Sequence, residues 1–215
     1  NNRLSKSKKF FNRASIEKTK ILAQDYEYNG KLFIKTGNDS MGIEKLNKAL
    51  DMDTSKTELY SEIASSYMKQ KKYAQAISNY QKKINLGKPN ANDYFGMGRA
   101  YYFTKDFVKA DTSFAQIIKS NPTLPLGYLW RAKSNTQLDL SNEKGLAKPF
   151  YEQYVSLVKP EETDKNKKDL IEAYSYLGFQ AMKQKDNAVA KQNWQKVLDI
   201  DPTNDKAKKA MDSFK

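Results

Sequence analysis

Residues 91–122 read "ANDYFGMGRAYYFTKDFVKADTSFAQIIKSNP", and the spacing of their large and small residues decides the fold. With Ala91 as position 1, Tyr94, Met97, Gly98 and Tyr101 fall at positions 4, 7, 8 and 11. Phe107, Ala110, Phe114 and Pro122 follow at 17, 20, 24 and 32. Residues three and four apart share a helix face, so each set makes one stripe on a helix. The small residues at 8 and 20 let the two helices approach closely, while the aromatics fill the space beside them. Neither helix can bury its stripe alone, and stacked neighbours must complete the core.

The frame recurs without a gap at a spacing of 34 residues. From Thr57 it gives Tyr60, Ile63, Ala64, Tyr67, Tyr73, Ala76 and Tyr80; from Ala23 it gives Tyr26, Asn29, Gly30, Phe33, Gly42, Leu46 and Ala49. Downstream, a frame from Ile171 gives Tyr174, Leu177, Gly178, Ala190, Trp194, Val197 and Pro202. The pattern resembles the tetratricopeptide repeat (TPR), with its large–x2–Leu–Gly–x2–Tyr helix A, Ala–x3–Phe helix B and closing proline. The resemblance implies an all-α, right-handed superhelical solenoid of antiparallel helix pairs.

The expected organisation is a basic lead-in helix or upstream-repeat remnant over 1–22, then repeats over 23–56, 57–90 and 91–124. A degenerate repeat over 125–170, a fifth over 171–203 and a capping helix over 204–215 follow. The cap carries Ala207, Ala210, Met211 and Phe214 on one face and lysines on the other. In the degenerate repeat Tyr128 and Ala132 keep the frame, but Arg131 and Asn135 stand where leucine and tyrosine are expected. Its helix B, "GLAKPFYEQYVSLVK", fits only with a short insertion at "QLDLSNEKG". Pro149 then falls in the first turn, where a proline has no helical donor to lose. The helix is predicted to begin between Gly145 and Lys148, shortened at its N-terminal end. Pro160 and the charged "EETDKNKKD" read as a long loop.

Cysteine and histidine are both absent. That removes thiol nucleophiles, disulfides, the usual zinc sites and every triad with an imidazole base. No base–nucleophile pair is readable, TPR arrays seldom catalyse, and no cofactor or metal is expected. "DMD" at 51–53 and "DID" at 199–201 resemble Asp-x-Asp metal motifs, but both close helix B of their repeats, which favours a turn role. "FGMGRA" at 95–100 lies inside a helix with no preceding strand, so it is not a phosphate loop. Gly96 within it has no reason in the sequence, since a second interior glycine costs about 1 kcal/mol relative to alanine.

Net charge is +13, and only four of the 38 basic residues are arginine. No apolar run is long enough to span a membrane. The chain does not begin with methionine and reads as a fragment or processed form. Its Lys-, Asn- and Tyr-rich, cysteine-free composition resembles bacterial envelope TPR proteins, a lean toward the cell envelope or periplasm over the cytoplasm.

The resemblance also implies a binding surface, because helix A of each TPR lines the concave face. The positions so implied are Phe95, Arg99 and Tyr102 in the third repeat, Trp130 and Lys133 in the fourth, and Tyr176 and Phe179 in the fifth. Exposed aromatics beside cations are typical of binding hot spots. Repeats 1 and 2 offer mostly Gln24, Glu27, Lys31, Glu58, Ser61, Glu62 and Ser65. The competing reading is that the aromatics pack within the array.

The carboxylate clamp of TPR co-chaperones is absent: its positions hold Glu27, Lys31, Glu62, Asn92 and Gly96, or Ser61, Ser65, Gly96, Leu126 and Trp130 one repeat later. The expected function is therefore a non-catalytic scaffold or adaptor for a peptide or protein segment. The alternative is a basic helical-repeat protein that binds nucleic acid or another polyanion, which the scarcity of arginine disfavours. Partner identity and oligomeric state are not encoded legibly.

Overall fold

The structure is a computed structural model that describes residues 22–214. Among them are eleven α-helices, one 3-10 turn and no strand. Apart from Leu22, the expected lead-in helix lies outside the described residues. The chain divides into two compact units between Thr104 and Lys105.

The first unit holds α1 (Ala23–Lys35), α2 (Asp39–Met52), α3 (Glu58–Lys69), α4 (Tyr73–Asn85) and α5 (Ala91–Phe103). Consecutive helices pack on one another, and α5 also touches α3. Ile43, Leu46, Ala49, Leu50, Leu59 and Ile63 form one buried cluster, and Ala64, Ala76, Tyr80 and Met97 form another. The small residues of the repeat frame set the contact distance. A methyl on Gly42 would lie 2.9 Å from the Gly30 carbonyl oxygen, and one on Gly30 would lie 3.0 Å from that of Gly42. Only glycine on both helices permits this backbone approach between α1 and α2.

The second unit holds α6 (Phe107–Ser120), α7 (Pro125–Leu138), α8 (Lys148–Leu157), a 3-10 turn (Pro160–Glu162), α9 (Thr163–Lys183), α10 (Asn187–Ile200) and α11 (Asp205–Asp212). Leu129, Ala132, Ala147, Tyr151, Tyr154, Leu170, Ala173 and Leu177 form its larger cluster. Around Ala181, Ala190, Trp194, Val197 and Ala207 a second cluster receives Ala210, Met211 and Phe214 from the C-terminal segment.

Short turns join the helices of a pair by one device. In α1, α3 and α9 the Schellman pattern closes the helix: Asn38 N–H donates to Phe33 O, Lys72 N–H to Tyr67 O and Asp186 N–H to Ala181 O, at 2.8–2.9 Å. After α1 and α9 the next helix is capped by the Asn38 or Asp186 side chain, which accepts from the N–H of Met41 or Val189; Asp106 caps α6 in the same way through Lys109 N–H, while α4, after α3, has no side-chain cap. The device requires a left-handed residue, supplied by Gly37 in the first turn (φ 84°) but by Lys71 (57°), Lys105 (64°) and Lys185 (60°) elsewhere. A lysine there carries a steric cost that glycine lacks. Replacing Lys71 or Lys185 by glycine is expected to stabilise the chain by about 0.5–1 kcal/mol each, read as a rise in Tm. A fall would mean that the lysine stems contribute more than their backbone strain removes.

Two readings of the degenerate repeat meet the structure differently. Helix α8 starts at Lys148 with Pro149 in its first turn, and has 10 residues where α2, α6 and α10 have 14. The proline marks a late start, as its position predicts. The long loop expected over "EETDKNKKD" is corrected: after the 3-10 turn at Pro160, the stretch forms the first turns of the 21-residue α9. It lacks an apolar stripe, which is why it read as loop. Yet Asp164 lies in the first turn, where the helix dipole favours an acid, and the Asn166 side chain donates to Glu162 O. Leu170 then anchors the extension in the core. The two Asp-x-Asp motifs serve turns, with Asp53 accepting from Ser55 N–H and O–H and Asp201 from Thr203 N–H and O–H.

Candidate functional site

In the first unit, α1, α3 and α5 line a cavity of about 580 Å³. Its charges are unevenly used. Lys31 lies 2.7 Å from Glu27 and 3.0 Å from Glu62, and Glu27 also meets Lys56 at 2.7 Å. Hydrogen bonds from Lys31 and Lys56 hold the Glu27 carboxyl below its ordinary value. Asp93 is 1% exposed and accepts from Lys83 Nζ, Asn90 N–H and Ser61 O–H. The cavity wall also carries Lys35 and Lys69, which have no ion-pair partner among the described residues.

At the C-terminal end of α5 the same unit carries an aromatic cluster. The Arg99 guanidinium lies 5.6 Å from the ring centres of both Phe95 and Phe103, within cation–π range. Phe103 stacks on Tyr73 at 5.3 Å and meets Tyr102 edge-on at 6.1 Å, and is still 43% exposed. The structure thus brings Phe95, Arg99 and Tyr102 together and adds Phe103 and Tyr73. The spacing contained a signal for Phe103, which follows Arg99 by four residues on one helix face.

In the second unit most of the expected anchors are occupied within the chain. Trp130 packs on the fully buried Phe114 at 5.4 Å. Lys133 is a bridging cation, 2.6 Å from Glu172 and 3.1 Å from Asp169 of α9. Burial opposes its charge, but Glu172 and Asp169 more than offset that and raise its pKa above the ordinary lysine value. The Tyr176 hydroxyl donates to Asn142, and its ring packs on Tyr151 at 4.9 Å. Phe179 alone of the four is open, 49% exposed with Lys183 5.9 Å from its ring centre.

Tyr176 is covered by the insertion, residues 139–147, which is pinned. The Asp139 carboxylate accepts from the N–H groups of Glu143, Lys144, Gly145 and Leu146, while Lys183 Nζ donates to Ser141 O at 2.6 Å. Desolvation works against the Asp139 charge, yet the four N–H donors outweigh it and its pKa is lowered.

The tetratricopeptide repeat family matches residues 57–86 and 94–123. The C-terminal part of a TPR repeat-containing protein from Cytophaga hutchinsonii is 35% identical, over 90% of this chain and 74% of that one, with a TM-score of 0.80. The chain belongs to the tetratricopeptide repeat family. YrrB, described as a TPR protein with an unusual peptide-binding site, shares the fold at 16% identity, over 93% of this chain and 97% of its own, with a TM-score of 0.70. MamA from Desulfovibrio magneticus RS-1 does so at 15% identity, over 85% and 97%, with a TM-score of 0.67. No curated protein matches the sequence. These bacterial relatives support a bacterial origin, and TPR membership places the chain among protein-interaction scaffolds. Among the described residues no helix is long and apolar enough to cross a membrane.

Within the TPR frame, the two departures of the fourth repeat answer one another. Arg131 makes a bidentate pair with Asp111 of α6 at 2.8 and 2.9 Å, and Asn135 donates to the same carboxylate at 2.7 Å. The guanidinium also lies 4.1 Å from the Phe150 ring centre. A polar network replaces the Leu–Tyr stripe of an ordinary TPR helix A, with its carboxylate drawn from the preceding helix.

Proposed function

We propose that the chain is a non-catalytic scaffold or adaptor that binds a peptide or protein segment on its helix-A face. The repeat units over 23–56, 57–90, 91–124, 125–170 and 171–203 are its modules. One observation carries the choice of site: Arg99 lies between the rings of Phe95 and Phe103 on α5, with Phe103 substantially exposed. A rigid aromatic–arginine cluster offers large contact area at low conformational cost, the make-up of an interface hot spot. Tyr102 and Tyr73 extend it, and Phe179 is a second open anchor in the other unit. Trp130, Lys133 and Tyr176 support their helices instead of meeting a partner.

The test is affinity capture from the source bacterium with the wild-type chain and with Arg99→Ala/Phe103→Ala. The variant is expected to keep its helical circular dichroism and bind the captured partner roughly tenfold more weakly. Equal retention of the same partner would remove α5 from the binding face.

A further inference from the structure

We propose that the cavity of the first unit is a subsite for the acidic side chains of an extended peptide, with Lys35 and Lys69 as its cations. The proposal rests on the interaction-scaffold reading above and names the chemistry of the segment bound. Lys35 closes α1 and Lys69 closes α3, 34 residues apart, so they hold the same place in successive repeats. Both are exposed on the cavity wall and neither has an ion-pair partner among the described residues.

The acids around them are already engaged. Glu62 is taken by Lys31, and Asp93 is buried against Lys83, Asn90 and Ser61. What the cavity presents to an incoming group is two ammonium ions, with the exposed Asn92 and Ser65 at its wall as further hydrogen-bonding groups. That is a donor-rich, cationic concavity, and its complement is a carboxylate-bearing chain.

Two features favour a peptide over a nucleic acid. No arginine lines the cavity, so bidentate phosphate contact is not available there. Its one lining aromatic, Tyr80, is 4% exposed and gives no platform for base stacking.

The experiment uses the full chain at low ionic strength and a fluorescein-labelled decapeptide alternating Glu and Ser, with its Gln/Ser counterpart, followed by anisotropy. The Glu peptide is expected to bind, and Lys35→Ala/Lys69→Ala to weaken it roughly tenfold while leaving the Gln peptide unaffected. Lys165→Ala/Lys206→Ala in the second unit removes the same charge and is expected to change nothing. Retained affinity in the first variant overturns the proposal, and so does equal loss in the control. Tighter binding of a single-stranded oligonucleotide of equal charge, dependent on the same two lysines, also overturns it. The aromatic variant separates the two readings. If Arg99→Ala/Phe103→Ala keeps its partner while the lysine pair controls the Glu peptide, the hot-spot assignment falls and the acidic subsite stands. The reverse pattern removes the subsite alone.

Discussion

Replacing Lys83 by methionine is expected to cost about 3–5 kcal/mol of unfolding free energy. Lys83 is fully buried on α4, yet its ammonium reaches Glu58 of α3 at 2.6 Å and Asp93 of α5 at 2.9 Å. It ties three consecutive helices through one charge. Methionine matches the stem and deletes the cation, leaving the Asp93 carboxyl 1% exposed and held only by Ser61 and Asn90. The loss arises from that stranded carboxylate more than from the attraction removed. Lys83→Met/Asp93→Asn is therefore expected to recover a large part of it, although Asp93 also completes the capping box of α5. Urea unfolding followed at 222 nm is the suitable readout, with a midpoint shift of about 1–2 M. Tryptophan emission is not, because Trp130 and Trp194 both lie in the second unit. A loss below about 1 kcal/mol, the value of an exposed pair, would mean that water reaches the site.

The same lysine sets a pH dependence. Burial disfavours its charge, but the hydrogen bonds it donates to Glu58 and Asp93 dominate, and its pKa lies above the ordinary value. A raised folded pKa contributes stability that is complete below the unfolded value of about 10.4 and is lost as pH rises through the folded one. Lys31 and Lys133 are raised in the same sense, and burial raises Tyr80, Tyr174 and Tyr176. All these groups weaken the fold on the alkaline side, from about pH 10 upward. Lys83→Met should show a flatter decline there than the parent.

The helices were legible because a stripe of large and small residues every three or four positions has one physical meaning. Pro149 was legible for a similar reason, since a proline fits a helix only at its first turn. Lys133 was not. Its residue type and repeat position suited a hot spot, but its partners come from another repeat: Glu172 from the fifth, and Asp169 from an extension of α9 whose polar sequence gave no packing signal. Tyr176 was hidden in the same way by Asn142, which sits in an insertion outside the repeat frame. Arg131 and Asn135 were recognised as departures, while their shared partner Asp111 belongs to another repeat and no local pattern connects them. Local periodicity specifies which face is buried; it does not specify which polar groups from other repeats will meet there.

Gly96 shows how such a contact can reverse a propensity argument, and Gly96→Ala is expected to destabilise the chain by about 2 kcal/mol. On helix propensity alone the substitution should stabilise it by about 1 kcal/mol. The decisive neighbour is Tyr80 of α4, whose hydroxyl and ring occupy the space that a methyl at Gly96 would fill. The ring cannot simply move out, because it is 4% exposed among Ala64, Ala76 and Met97 and its hydroxyl lies 3.2 Å from that of Ser65. Overpacking of this kind costs about 1–3 kcal/mol beyond any backbone gain. Removing the hydroxyl alone will not relieve it, since ring carbons share the overlap and Cε2 would lie 2.7 Å away. Tyr80→Leu should do so, and the Gly96→Ala/Tyr80→Leu pair should be less destabilised than the sum of its single variants. That coupling, measured by urea unfolding, distinguishes a steric cause from a backbone one. Additive costs, or a stabilised Gly96→Ala, would mean that Tyr80 has room to yield.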